Sequence, residues 1–180
     1  MAILVDDAIW PWRGQRWAHL VTDSHLDELH DFAHRLGVPY LAFQGDHYDV
    51  PTEIRTAAID RGATAVTGRQ VVAALRAAGL RRRGSVEPWT WEWRRPVGEL
   101  DDRHVPDPFV AHIADAVDAL SGAESMVEVG LATRTVEHLA VVTCVEPLDI
   151  ATGLEAHRSG IAVHRSSGSR GTWIELSAPR

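Results

Sequence analysis

The sequence predicts an α/β protein, with a Rossmann-like, three-layer unit built on a parallel sheet at the N-terminus and a smaller α+β unit after it. Short apolar runs alternate three times with segments of helical periodicity, which favours right-handed crossovers and helices on both faces of the sheet. The alternation stops at the arginine run of residues 81–83, which fits an exposed connector. We therefore predict domains at residues 1–83 and 86–180, because 180 residues can bury enough apolar surface as one large or two small domains, and the 45% apolar content argues against disorder.

The first predicted strand, Ala2–Val5, is an apolar run that ends in two acids, Asp6 and Asp7. Successive side chains of a strand point to opposite faces, so at most one of these acids should face a given site unless the backbone turns there. The connection that follows, residues 8–22, is longer than the roughly 2–6 residues usual for such loops. It predicts either a functional lid or a hidden strand at Trp17–Val21.

The first predicted helix starts at a capping-box pattern, Ser24 to Asp27, and ends at Gly37 as a left-handed cap. Its apolar positions recur with helical spacing, which predicts one buried face. The same element carries histidines that we expect on the solvated surface, because a helical pair alone does not make a metal site. These histidines are His25, His30 and His34.

Two further pairs of strand and helix complete the predicted parallel sheet. Val38–Phe43 is the second strand, and Pro51 suits the first turn of a helix that ends at Gly62. Ala63–Thr67 is the third strand, and the helix after it ends at Gly79. Because ligands bind outside the carboxyl ends of parallel strands, we expect the site at that edge.

The predicted second unit lacks this alternation. Trp89, Trp91 and Trp93 alternate with polar residues, which predicts a strand with one aromatic face in a core or interface. The other predicted elements are a helix from Pro108 to Leu120, strands at 126–132 and 139–145, an amphipathic segment at 148–157, and short strands at 161–163 and 173–176.

Composition excludes several functional classes. All 18 basic residues are arginine, which removes Schiff-base lysine chemistry and the lysine of a P-loop. No Gly-x-Gly-x-x-Gly follows the first strand, so we expect no dinucleotide cofactor, and the sequence has neither a Cys-x-x-Cys pair nor a Gly-x-Ser-x-Gly elbow. The single cysteine, Cys144, and the absence of an export leader or long apolar run predict a cytoplasmic protein without a membrane partner.

The motif at residues 43–51 holds the main candidates for chemistry, because an apolar run leads there into acids and a histidine. Carboxylate oxygens are the ligands that Mg²⁺ and Mn²⁺ prefer. His47, His19 and Asp46 are the candidate catalytic groups, since imidazole and carboxylate can transfer protons or bind a metal. Asp49 equally fits a helix cap. The candidate metal ligands are Asp6, Asp7, Asp46 and Asp49.

Arginine and tryptophan side chains favour a nucleotide or RNA as partner. Guanidinium groups bind phosphate oxygens, and aromatic faces stack on bases. The tryptophans of the long connection equally fit packing that ties this segment down. The net charge of −7 argues against a uniformly basic nucleic-acid binder. The candidate substrate-binding residues are Arg13, Arg16, Arg69, Trp12, Trp17 and Tyr48.

Spaced motifs follow one another in a fixed order along the first half of the chain. They are Val5-Asp6-Asp7-Ala8, Trp12-Arg13-Gly14, Trp17-x-His19-Leu20, Asp23 and Phe43-Gln44-x-Asp46-His47-Tyr48-Asp49. Together they resemble DUF4031, a bacterial and phage family of unknown function, and the resemblance covers roughly residues 1–83. It implies a domain boundary and no established activity. An aspartate-tipped first strand in a small α/β domain is also similar to PIN-like nucleases, which gather acids around divalent metals.

Two functions from different classes remain open. One is a metal-dependent phosphodiester or nucleotide hydrolase, such as a nuclease, in which acids hold the metal and arginines bind phosphate. The alternative is a non-catalytic module that binds a nucleotide, RNA or protein through the tryptophan and arginine connection. A metal-free lyase or transferase with His47 as its base is a third interpretation. Of these, the first requires a divalent metal, so metal dependence separates it from the others.

Overall fold

The structure is a computed structural model that describes residues 1–82, 84, 86–106, 109–120, 127–144, 161–168 and 171–179. The chain divides into two compact units, Met1–Val86 and Glu87–Arg180. Within the described ranges, no helix has both the length and the apolar character that crossing a membrane requires.

The first unit is built on a five-stranded sheet in which antiparallel pairs predominate. Its strands are β1 (Ile3–Val5), β2 (Trp10–Trp12), β3 (Gln15–Thr22), β4 (Tyr48–Pro51) and β5 (Thr64–Ala65). β1, β2 and β4 each pair with β3 in antiparallel orientation, and β1 pairs with β5 in parallel. The prediction of a Rossmann-like parallel sheet is therefore wrong.

One reason is that the long connection forms a hairpin, which reverses the direction of the chain. Arg13 and Gly14 join β2 to β3, and both have positive φ (48° and 76°), as a two-residue hairpin turn of type I′ requires. Arginine is a weak signal for such a turn, because positive φ is unfavourable for a residue with a Cβ. The hidden strand predicted at Trp17–Val21 lies within β3 and is confirmed.

A second reason is that the predicted strand Val38–Phe43 does not form. Tyr40–Ala42 make a single 3₁₀ turn after Pro39, which has no N–H to donate to a sheet. The chain joins the sheet beyond this point, through an isolated bridge between Phe43 and Tyr48 and then through β4. The site motif therefore leads into a strand instead of following the carboxyl end of one.

Three helices pack on this sheet: α1 (Leu26–Arg35), α2 (Thr52–Asp60) and α3 (Gly68–Ala77). The capping box predicted at Ser24 is wrong, because the N-cap of α1 is His25 and its side chain makes no capping hydrogen bond. A capping box does begin α3, where the Thr67 and Gln70 side chains bond each other's backbone N–H groups. Each of the three helices contacts β3.

Helices α1 and α3 pack on opposite faces of the sheet. Val21 of β3 forms a buried cluster with Leu75 of α3. Tyr48 of β4 instead contacts α1, through a 2.8 Å hydrogen bond between its hydroxyl and Nδ1 of His30. Side chains alternate between the faces of a strand, so His19, two residues from Val21, lies on the face that α3 covers.

His30 is half-buried against the rings of Phe43 and Tyr48, which corrects its expected position on the solvated surface. Burial lowers the pKa of His30 to about 4, although the charges of Asp27 and Asp31 act in the opposite direction. The imidazole is therefore neutral at physiological pH in the folded unit.

We expect the first unit to lose stability as the pH falls from about 6.5 to about 4. In this window the unfolded chain binds a proton at His30 and the folded chain does not, which lowers the free energy of unfolding by roughly 2 kcal/mol. Urea unfolding in EDTA at about pH 7 and about pH 4.5 measures the loss. His30→Gln should remove this part of the pH dependence. His25→Gln, an exposed control, should keep it, and equal dependence in both variants would contradict the prediction.

The second unit contains another five-stranded sheet, which is antiparallel throughout. One helix, α4 (Val110–Leu120), packs against it through a core that includes Ile113 and Ile174. The strands are β6 (Thr90–Pro96), β7 (Val127–Arg134), β8 (Glu137–Cys144), β9 (Ala162–Gly168) and β10 (Gly171–Pro179), in the order β6-β7-β8-β10-β9. These elements overlap the predicted helix and strands, and the amphipathic segment predicted at 148–157 lies outside the described residues.

A β-bulge separates Trp91 from Trp93 and corrects the prediction of a single aromatic face. Trp91 pairs with Ala132 and Trp93 pairs with the adjacent Leu131, so the two indoles point to opposite faces. Trp93 packs against the apolar core, whereas Trp91 lies over Gly130, where a Cβ would come within 2.5 Å of its ring. Gly130 therefore leaves the space that Trp91 occupies.

Candidate functional site

Three polar side chains converge on the face of the first sheet that α3 covers. His19 and Asp49 are register partners in β3 and β4, and His47 lies two residues before Asp49, so all three point to one face. Oδ1 of Asp49 is 3.9 Å from Nε2 of His19 and 3.5 Å from Nε2 of His47. Ligand atoms of the three residues lie within 4.8 Å of one another. We call this set the His/Asp cluster.

A buried carboxylate holds His19 in place. Oδ2 of Asp6 lies 2.7 Å from Nδ1 of His19, and Oδ1 of Asp6 accepts the backbone N–H of His19 at 2.7 Å. β1 and β2 share the edge of β3 that faces away from β4, and His19 falls between their paired residues. The Asp6 carboxylate therefore accepts the His19 backbone N–H at a position between β1 and β2, where a carbonyl of a paired strand would otherwise accept it. The same carboxylate orients the imidazole so that Nε2 points toward Asp49.

A second buried carboxylate holds His47. Oδ1 of Asp46 lies 2.6 Å from Nδ1 of His47, while Oδ2 accepts hydrogen bonds from Nη1 of Arg81 at 2.8 Å and from the backbone N–H of Arg82 at 2.9 Å. Burial on its own raises the pKa of Asp46, but these hydrogen bonds outweigh it and lower the pKa below its usual value. The contact also brings part of the predicted exposed connector into the site.

The turn that presents Asp46 depends on Gly45. Its φ of 88° lies in the left-handed region, which glycine adopts without strain. A Cβ at this position would also come within 2.7 Å of the Val86 side chain. The turn therefore needs glycine both for its backbone conformation and for space.

In the His/Asp cluster, neighbouring acids and imidazoles shift each other's pKa values. Burial lowers the pKa of His47, but the hydrogen bonds and charges of Asp49 and Asp46 outweigh burial and raise it overall. Burial likewise raises the pKa of Asp49, and the hydrogen bond and charge of His47 outweigh it and lower the pKa. Among the residues that the structure describes, three carboxylates in this network, including that of Asp6, are accompanied by one guanidinium, that of Arg81. The network is therefore acidic when its histidines are neutral.

A cavity of about 310 Å³ opens beside the His/Asp cluster. It is lined by His19 of β3 and by His47, which directly precedes β4, and on the other side by Val71, Val72 and Leu75 of helix α3. The ring of Trp10 also lines it, with its centre 6.2 Å from that of His19. The other lining residues are Asp6, Asp7, Ile9, Thr67, Gly68 and Arg81.

Other predicted site residues have different surroundings. Asp7 is exposed, and its Oδ1 accepts a hydrogen bond from Nη2 of Arg55 at 3.0 Å. Arg69 is exposed in the first turn of α3. Tyr48 is fully buried and its hydroxyl bonds to His30, so this side chain has no exposed surface for a substrate.

The Trp/Arg hairpin, residues 10–17, presents aromatic and cationic groups at the surface. Trp12 is 55% exposed, and the guanidinium of Arg13 stacks over its ring at 4.4 Å. Trp17 packs edge-on against Trp12 at 5.2 Å and donates from Nε1 to the Trp12 carbonyl at 3.0 Å. Nη1 of Arg16 donates to the carbonyl of Ile9, the residue before the hairpin, at 3.4 Å. Trp17 therefore ties the hairpin down, whereas Trp12 keeps a face open to solvent.

Sequence reasoning missed the contributions of Arg55 and Arg81. Nε of Arg55 donates to the carbonyl of Asp6 at 2.6 Å, across 49 positions of the chain. Arg81 reaches Asp46 across 35 positions. No local spacing signals contacts between residues so far apart. The one local signal for the cluster is the alternation of His47 with Asp49.

Residues 3–78 match the model of a family described as protein of unknown function (DUF4031), and the C-terminal half has no family match. This confirms the resemblance seen in the sequence. No curated protein and no solved structure matches the chain. The matched segment contains the His/Asp cluster and both carboxylates behind it, and it ends before Arg81.

Proposed function

We propose that the first unit is a metal-dependent hydrolase of phosphodiesters or nucleotides, with one divalent ion bound by the His/Asp cluster. The observation that carries the proposal is that two imidazoles, each bonded through Nδ1 to a buried carboxylate, direct Nε2 toward the Asp49 carboxylate. Two ligand atoms that are each about 2.1 Å from a metal lie roughly 3–4 Å apart. The spacings of 3.5 Å and 3.9 Å in the cluster fit this range.

In this proposal the carboxylates of Asp6 and Asp46 do not contact the ion but hydrogen-bond the histidines that bind it. Metal-binding histidines commonly donate their second ring N–H to a carboxylate, which fixes the tautomer and the ring orientation. In this arrangement Nδ1 carries the proton and Nε2 keeps its lone pair for the ion. Asp6 and Asp46 therefore have a positioning role in the proposal, and His19 and His47 take the place of two acids predicted as ligands.

Charge supports a divalent ion. Among the described side chains, the carboxylates of Asp6, Asp46 and Asp49 with the guanidinium of Arg81 leave two negative charges, which a divalent ion would neutralise. Two imidazoles and one carboxylate suit Zn²⁺, and the carboxylate also suits Mn²⁺, whereas Mg²⁺ prefers ligands that are all oxygen atoms. We therefore keep Mn²⁺ from the sequence-based expectation and replace Mg²⁺ with Zn²⁺.

The residues around the cluster fit a hydrolytic role. A bound ion with three protein ligands keeps open positions, lowers the pKa of a bound water toward about 7 and offsets charge on a phosphoryl group. Arg81 lines the adjacent cavity and can donate to phosphoryl oxygens.

The single cysteine, Cys144, is buried and forms no disulfide, and we propose that the protein acts in the cytoplasm.

Chelation tests the hydrolase proposal on the full chain. We expect turnover of bis(p-nitrophenyl) phosphate or a nucleotide to depend on Zn²⁺ or Mn²⁺, because the ion activates the attacking water. EDTA should abolish this turnover, Zn²⁺ or Mn²⁺ should restore it, and Mg²⁺ should restore less. Turnover that is indifferent to EDTA would contradict the proposal, as would a thermal midpoint that none of the ions raises.

A non-catalytic binding function is a second candidate, and the exposed Trp12 ring beneath Arg13 favours it. Such a surface stacks on bases without needing a metal. Binding of a short single-stranded RNA in EDTA, measured for the wild type and Trp12→Ala, separates the two functions. RNA binding that survives chelation and is lost in the variant would favour the binding module.

A further inference from the structure

We infer that the substrate of the proposed metal site is a small phosphoester that carries one apolar or aromatic ring, and not a nucleic-acid strand. The inference rests on the proposed function and adds the class of substrate to it. It is carried by the size, the lining and the charge of the cavity beside the His/Asp cluster.

The size of the cavity sets the first limit. Its volume is about 310 Å³, and ligand sites in proteins span roughly 300–1,000 Å³. A site at the lower end of this range accommodates a single ring with one small polar group. A nucleic-acid strand instead requires an extended groove that follows several phosphates.

The charge of the lining gives the second limit. Grooves that bind a strand carry many basic side chains along the backbone path. Among the described residues of this lining, the charged ones are Asp6, Asp7 and Arg81, apart from the two histidines. In this described part of the lining the carboxylates outnumber the guanidinium group, so attraction for a phosphoryl group would come from the ion and from Arg81.

The apolar wall gives the third argument. Val72 is half-buried on α3 and lines the cavity, while Ile9 and Trp10 are 58% and 57% exposed beside it. An apolar ring that enters between them removes this surface from water. The histidines of the cluster line the same cavity, so a phosphoryl group attached to the ring can lie against the ion.

Arg81 is placed to hold the phosphoryl oxygens. Its Nη1 donates to Asp46 at 2.8 Å, and its side chain is 39% exposed. A guanidinium has five N–H donors in a planar fork, so Arg81 can keep this bond and also donate to an oxygen in the cavity. Recognition then has two parts, with the ring against α3 and Trp10 and the oxygens at Arg81 and the ion.

Calorimetric titration with two phosphonates tests the inference apart from turnover. Phenylphosphonate carries the ring and methylphosphonate does not, and neither is hydrolysed. We expect the Zn²⁺-loaded full chain to bind phenylphosphonate at least about tenfold more tightly, because the ring buries apolar surface. Val72→Phe fills the cavity and should weaken phenylphosphonate binding by about tenfold or more. Ala73→Phe, at the next and exposed position of α3, should leave binding unchanged.

Trp10→Ala supplies a second variant at an exposed side chain, where loss of the fold is not expected. It should weaken binding of phenylphosphonate and leave that of methylphosphonate unchanged. Equal affinity for the two phosphonates would overturn the inference, as would a Val72→Phe variant that binds phenylphosphonate like the wild type. Turnover of a single-stranded RNA in preference to a phenyl phosphodiester would also overturn it.

Zn²⁺ titration in the same instrument keeps the two proposals separate. If Zn²⁺ binds but the two phosphonates bind with equal affinity, the inference about the ring is rejected and the proposed metal site is retained. Absence of Zn²⁺ binding rejects the metal site. If Zn²⁺ does not bind but phenylphosphonate does, and Val72→Phe weakens that binding, the result supports ring binding in the cavity without the metal site.

Discussion

Replacing His47 with glutamine is expected to abolish tight Zn²⁺ binding by the full chain. The Nε2 atom of His47 lies 3.5 Å from Oδ1 of Asp49, and glutamine offers no imidazole lone pair there. Loss of a residue that hydrogen-bonds a metal ligand lowers metal affinity by about 10–100-fold, so we expect loss of the ligand itself to lower it by more than about 100-fold. Calorimetric titration with Zn²⁺ measures the affinity directly.

The same substitution should remove thermal stabilisation by the ion. An ion present at about 100 times its Kd stabilises the folded chain by about 2.7 kcal/mol. For a unit of this size that corresponds to a rise of roughly 10 °C or more in the midpoint of unfolding. His25→Gln is the matched control, because His25 is exposed at the start of α1 and makes no capping bond. Tight Zn²⁺ binding by His47→Gln would exclude the cluster as the site.

Asp46→Asn is expected to weaken both metal binding and the fold. Asparagine keeps the size of the side chain, but its NH₂ cannot accept the hydrogen bonds that Oδ2 of Asp46 receives from Arg81 and from Arg82 N–H. Hydrogen bonds to charged groups contribute about 1.5–3 kcal/mol, so we expect the free energy of unfolding to fall by about that amount. The weaker hold on His47 should lower Zn²⁺ affinity by about 10–100-fold.

Asp7→Asn is the control for this comparison. Asp7 is exposed and pairs with Arg55 near the surface, where an ion pair contributes at most about 1 kcal/mol. Urea unfolding in EDTA and Zn²⁺ titration of both variants give the two free energies. The prediction fails if Asp46→Asn is as stable as Asp7→Asn and binds Zn²⁺ as tightly as the wild type does.

Local patterns predicted several elements of the first unit correctly. Helical periodicity identified α1 and α3, and the apolar run at Trp17–Val21 identified β3. The sheet was mispredicted because the relative direction of its strands depends on the backbone conformation of two short segments, which the pattern of apolar residues does not reveal. Arg13 adopts positive φ beside Gly14, and the run after Pro39 forms a 3₁₀ turn and not a strand. The first conformation places the antiparallel strand β3 beside β1, and the second replaces an expected parallel strand with the antiparallel strand β4.

The candidate site shows a similar division. The sequence placed acids and histidines in one region, because His47 and Asp49 alternate within a short motif. Their roles depend on tertiary register, which sets His19 opposite Asp49. Asp49 meets β3 on the β4 edge and faces Nε2 of both histidines, whereas Asp6 meets the opposite edge of β3, and no spacing along the chain encodes that difference. Asp6 lies behind His19 for this reason.

The pairing of β3 with β4 has a kinetic consequence if the cluster binds an ion. His19 is on one strand, His47 and Asp49 are at the other, and the segment between the strands contains α1. A bound ion would then cross-link the two strands and hold this segment closed in a loop, so the strands could not separate without breaking its coordination. Dissociation of the ion would limit the rate of local opening, and proteases that attack opened chains would act more slowly on the loaded protein. The supply of metal in the cell would thus set the lifetime of the protein as well as its activity.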